Sequence, residues 1–110
     1  MAGQNLKINI AKDFSKFLGG RWKKIGKYSG EEFYEDKLLP RYNDAVNQGV
    51  KLEIYLDGTK GYPSSFLDQS FGELARQKGV EKVSSVLVLH AEVFVWVVDF
   101  IKKEIWHLEK

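Results

Sequence analysis

Leu52-Glu53-Ile54-Tyr55-Leu56-Asp57-Gly58-Thr59-Lys60-Gly61-Tyr62-Pro63-Ser64-Ser65-Phe66-Leu67 reads as a strand, a glycine-containing turn and the start of a helix. Val50, Leu52, Ile54 and Leu56 alternate with Lys51, Glu53 and Tyr55. A period of two is the pattern of a strand with one buried face. Asp57-Gly58 ends that strand, because glycine adopts backbone angles that interrupt strand pairing. Pro63 then supplies a fixed φ suited to a first helical turn, and the hydroxyls of Ser64 and Ser65 can accept hydrogen bonds from free backbone N–H groups. Apolar positions switch to helical spacing at Leu67, Phe71, Leu74 and Ala75, and stop before Gly79. A loop running from the carboxyl end of a strand into a helix N-terminus is where open α/β sheets place their sites. It is also where an anion, including a phosphate on serine, is best tolerated.

Upstream, Leu6, Ile8 and Ile10 alternate with Lys7 and Asn9, which predicts a first strand. Gly19-Gly20 predicts a turn, and residues 21–25 a returning strand. Ser29-Gly30-Glu31-Glu32 has the form of a capping box opening a helix that carries Phe33, Tyr34, Leu38, Tyr42 and Ala45. Pro40 is expected to kink or divide that helix, since proline lacks the N–H and crowds the preceding turn. Gly49 is a natural C-cap. Downstream, residues 83–89 read as another strand.

Residues 93–98 are rich in β-branched side chains and fit a strand. A window extended to Leu108 favours a helix, with Phe94, Val97, Val98, Ile101, Ile105 and Leu108 on one face. Trp96, Phe100 and His107 then fall on nearly the opposite face. Such a second apolar stripe is expected to be covered by another chain, most simply a second copy in a homodimer.

The length of 110 residues suits one domain spanning 1–110, and 44% hydrophobic residues argue against disorder. There is no cysteine, which removes disulfides, thiol nucleophiles and cysteine-ligated zinc. The first residues lack the charged and apolar regions of a signal peptide, and the longest apolar run is too short to span a bilayer. A cytoplasmic protein with no membrane partner is expected. Residues 1–30 hold seven bases and one acid, against ten bases and fourteen acids in the remainder. Such asymmetry could mark a nucleic-acid surface, but the bases form no recognised nucleic-acid motif, so a solvated lysine-bearing edge is the expectation.

The order of elements and the loop residues together resemble the bacterial STAS-like domains of unknown function, relatives of the STAS domains of sulfate transporters and anti-sigma-factor antagonists. The resemblance spans about residues 8–79. It is strongest at residues 56–67 and at Phe71-Gly72-Glu73-Leu74, with support from Gly20-Arg21 and Ser29-Gly30-Glu31-Glu32-Phe33. It implies an α/β domain with a mixed sheet of about four strands and helices mainly on one face. It implies a regulatory module for protein–protein interaction rather than an enzyme. In the antagonists a serine pair opens the matching helix and one serine is phosphorylated by a partner kinase, and Ser64 and Ser65 stand at that place. Pro63 and Phe66 flank them here, where the antagonists have Asp and Gly. A histidine-kinase-like ATPase is the partner the resemblance implies.

Each of these residues also has a plainer role. Ser64 and Ser65 can serve only as helix caps. Asp57 and Gly58 can simply form a turn, and Tyr62 can pack over the loop. The alternative function is a small-ligand or nucleotide site using the 57–65 loop for an anion, with Asp57, Gly58, Gly61 and Tyr62 as contacts. The glycines lack the spacing of a phosphate-binding or dinucleotide fingerprint. His90 and His107 are the only histidines and show no ligand spacing, so no metal or cofactor is expected.

Overall fold

Three short strands, each followed by helical chain, carry the architecture of the computed structural model, which describes residues 3–108. In chain order they are β1 (Leu6–Asn9), α1 (Ile10–Asp13), α2 (residues 30–48), β2 (Leu52–Tyr55), α3 (residues 64–78), α4 (Val80–Val86), β3 (Leu87–His90) and α5 (residues 95–105). The sheet order is β1-β2-β3 and both pairings are parallel. Leu6 pairs with Leu52 and Ile8 with Ile54, while Leu52 pairs with Leu87 and Ile54 with Leu89. The predicted mixed sheet of about four strands is therefore corrected to three parallel strands.

Alternation decides which face is covered. Ile8, Leu52, Ile54, Leu56 and Leu87 are buried, while Lys7, Asn9, Glu53, Tyr55, Val88 and His90 on the intervening positions are exposed or half-buried. Strands added in one direction by right-handed crossovers place their helices on one face. Phe33, Leu38, Tyr42 and Ala45 of α2, Phe66, Leu67, Phe71 and Leu74 of α3, and Val97 and Ile101 of α5 complete the core.

The missing strand is residues 21–25. Trp22 and Ile25 are linked by a turn hydrogen bond (3.1 Å), and Gly20 and Arg21 carbonyls accept from the N–H groups of Gly30 and Glu31. The segment is thus stitched to the start of α2 and its apolar side chains point outward, Ile25 being 75% exposed. Residues 80–86 form α4 rather than the first part of a strand, and pairing begins only at Leu87. Val80, Val83 and Val86 recur at helical spacing, with Ser84 and Ser85 hydroxyls bonded to carbonyls three residues back.

Helix ends follow the local chemistry. Ser29 Oγ accepts from Glu32 N (3.0 Å), while the Glu32 carboxylate accepts from Tyr28 N (2.9 Å), one residue earlier than a capping box requires. Gly49 closes α2 in the left-handed conformation (φ 71°). Pro40 neither breaks nor divides α2. The turn over Tyr34–Leu38 is widened, with Leu39 N donating to Tyr34 O five residues back, and proline's missing N–H falls just after it. Wide turns recur over Asp68–Gly72 in α3 and Ile101–Ile105 in α5.

Candidate functional site

The loop after β2 and the start of α3 hold most of the residues the sequence singles out. Leu56 N donates to His90 O (3.0 Å), which prolongs the ladder into the loop. Asp57 then turns its carboxylate to the opposite loop and accepts from three backbone N–H groups, those of Glu92 (2.6 Å), Val93 (3.1 Å) and Phe94 (2.9 Å). Those donors favour the ionised form and hold Asp57 below the usual carboxylate range. Asp57 is therefore a clamp between the loop and the entry to α5, and neither oxygen is free of a protein donor. Gly58 is required twice over: its φ is 103°, and a Cβ there would stand 2.9 Å from Ala11 Cβ.

Tyr62 is buried. Its hydroxyl donates to Leu56 O (2.6 Å), and its ring meets Phe94 edge-on at 5.2 Å. Burial pushes its phenol well above the ordinary range, so the hydroxyl remains a donor at any ordinary pH. The plainer expectation, a ring packed over the loop, holds for Tyr62. Gly61 is half-buried and has nothing within 4 Å of where a Cβ would be.

Pro63 occupies the N-cap position of α3 with extended angles, and no side chain makes the capping hydrogen bond. Ser64 and Ser65 lie inside the first turn, so the expected serine cap is corrected: proline stands where the capping oxygen would be. Ser64 is exposed and Ser65 half-buried. The loop containing Gly20 runs beside Ser65, where a Cβ on Gly20 would lie 3.8 Å from Ser65 Oγ. Arg21 reaches over to Asp68 (2.6 Å), which also pairs with Arg76 (3.2 Å). Burial works against the Asp68 charge, but the two guanidinium groups outweigh it and hold the carboxyl low.

A feature the sequence reading missed borders the serines. Lys60 N donates to Lys16 O (2.8 Å), joining the loop after α1 to the loop after β2. Between them lies a groove of about 400 Å³ lined by Phe17, Leu18, Lys60, Gly61, Tyr62 and Pro63. Ser15 Oγ bonds both the N–H and the carbonyl of Phe17 (3.0 Å each), and the Phe17 ring is 64% exposed. Only a long-range contact creates this groove, and no periodicity around Phe17 announces it.

The basic excess of residues 1–30 is partly matched in space. Lys23 pairs with Glu35 (2.6 Å), Lys23 N donates to Glu31 (2.9 Å), and Arg21 pairs with Asp68. On the open face of the sheet, Glu53 accepts from Asn5 (3.2 Å) and Tyr55 (3.0 Å) and stands 3.0 Å from His90 Nε2. The Asn5 and Tyr55 bonds, then the His90 bond, hold its carboxyl low, and the Tyr55 and His90 rings stack at 4.6 Å. Trp96 is 53% exposed and meets Phe100 edge-on at 6.4 Å, while Phe100 also packs against the core. α5 ends at Ile105, so His107, exposed and at φ 56°, falls off the Trp96–Phe100 line. No helix among the described residues is long and apolar enough to cross a membrane.

The geometry is that of an α/β domain with a three-stranded parallel sheet and a loop-to-helix surface at the carboxyl end of β2. The chain belongs to the family described as STAS-like domain of unknown function (DUF4325), whose profile matches residues 29–91. The match starts at the cap of α2 and ends just past β3, so β1, the Phe17 loop and α5 lie outside it. No match was found among curated proteins or among solved structures.

Proposed function

We propose that this domain is a cytoplasmic regulatory module of bacterial signalling that binds another protein over the start of α3, and that phosphorylation of Ser64 or Ser65 gates the binding. The carrying observation is an exposed serine directly after Pro63, which lines an open groove that also carries the outward Phe17 ring. A phosphate adds roughly −1.5 to −2 charge. At an N-terminal turn that charge is tolerated by the fold, yet it changes what can dock beside it. A histidine-kinase-like ATPase is the first partner to test. The rival reading, a small anion held by the 57–65 loop, is weakened because Asp57 and Tyr62 spend their polar atoms inside the fold.

Ser64→Asp and Ser65→Asp are expected to change affinity for the cognate ATPase by about tenfold or more, measured by calorimetry, while the matching alanines stay near wild type. Aspartate variants that both bind like wild type would remove the gating.

Trp96 supports a second contact, with another copy of the chain. Large apolar groups exposed together (Val93, Val95 and Trp96) are avoided on monomers. Because Phe100 packs inward, Trp96→Glu alone is the clean variant. It is expected to halve the mass seen by sedimentation equilibrium. A wild-type protein that sediments as a monomer at high concentration retires the dimer.

A further inference from the structure

We propose that the groove between Phe17 and Pro63 receives an apolar side chain from an acidic peptide segment of the partner. This inference rests on the reading of that surface as a docking site and gives the partner's chemistry. The groove draws its lining from two loops, Phe17 and Leu18 from the one after α1 and Lys60, Gly61, Tyr62 and Pro63 from the one after β2, and of these Tyr62 is buried. The Lys60–Lys16 backbone bond ties the two loops together. Gly61 brings no side chain to the lining, so the space above it is open. A volume of about 400 Å³ suits one large apolar side chain with its flanking backbone.

Charge selects the rest of the segment. Lys60 lines the groove and Lys16 immediately precedes Phe17. Among the described residues neither is in an ion pair, whereas Arg21 and Lys23 are both neutralised by acids. Among the described residues no carboxylate lines the groove, and Asp13 and Asp57 turn their oxygens to the backbone N–H groups of Asn9 (2.8 Å) and of residues 92–94. The lip is thus positive, and complementary charge steers an acidic segment to it. A nucleic acid needs a longer cationic track with successive stacking rings, and this slot offers one lining lysine, a second next to Phe17 in the chain, and one exposed ring. The placement also sets the sign of the gate. Ser64 directly follows Pro63, so a phosphate there adds negative charge at the end of the groove and opposes an acidic partner.

A displayed library of short random peptides, panned on wild-type domain, tests this. Enriched peptides are expected to carry several acidic residues around a single leucine or phenylalanine. Their affinity, read by fluorescence anisotropy, is expected to fall at least tenfold in the Lys16→Glu/Lys60→Glu variant, with the melting temperature unchanged. No enrichment, enrichment of non-acidic peptides, or equal affinity for the variant overturns the proposal. So does displacement of the peptide by a single-stranded oligonucleotide or phosphatidylserine vesicles whose binding depends on the same lysines. If Ser64→Asp leaves peptide affinity unchanged, the gate falls and the groove stands. If the lysine variant still binds the peptides but Ser64→Asp alters ATPase binding, the groove falls and the docking surface stands.

Discussion

Phe66→Ala is expected to lower the unfolding free energy by about 3–5 kcal/mol, read from urea denaturation followed by tryptophan fluorescence. Phe66 is fully buried and stacks on Phe33 at 5.7 Å, with Phe14 and Tyr62 each at 6.3 Å. Truncation removes the ring from the point where α2, α3 and the two site loops meet. The neighbours are held by the helices and by Tyr62's hydrogen bond, so they close the cavity only in part. A domain of this size has about 5–15 kcal/mol in total, so the variant stands close to unfolding at physiological temperature. A loss below about 1 kcal/mol would mean that the aromatic cluster does not hold the site.

Gly30→Ala is expected to destabilise by about 1–3 kcal/mol, although alanine is the better helix former. A Cβ at position 30 would stand 2.5 Å from Phe66 O and 3.0 Å from Gln69 Cβ. Both obstacles belong to α3, and the carbonyl is backbone inside a helix, so relief requires the two helices to separate. Helix propensity offers at most about 1 kcal/mol in return. Gly26→Ala is the control, since nothing lies within 4 Å of its Cβ position, and its cost should be small. A Gly30→Ala protein that melts above wild type would show that α2 and α3 can move apart freely.

Much of the fold is legible where one physical pattern dominates. The alternation at residues 50–56 predicts β2 and its buried face, and Gly49 and Ser29 mark the ends of α2. The sequence leaves residues 93–98 open between strand and helix; α5 is the helix that the wider window favours, with Val97 and Ile101 buried on the expected face, while Phe94 and Leu108 fall outside it. Residues 21–25 defeat the reading because Trp22 and Ile25 are apolar without being inward, and backbone bonds to α2 decide their shape. Strand direction was equally hidden, since alternation is the same in parallel and antiparallel pairs. At the site, Ser64 and Ser65 were visible through the helix start, but Asp57's three donors come from a loop far along the chain. The groove beside the serines depends on Lys60 meeting Lys16, a contact no local pattern encodes.

The parallel order β1-β2-β3 also bears on how the chain assembles. Leu6 must find Leu52, and Leu52 must find Leu87, with helices intervening each time. The sheet contains no hairpin, so no part of it can nucleate from neighbouring residues. Loop-closure entropy is met before any ladder bond rewards it, which slows folding and leaves strand edges unpaired in partly formed chains. β2 alone bonds to both other strands. Until it docks, β1 and β3 are isolated segments, and the helices are the only structure that local interactions can supply.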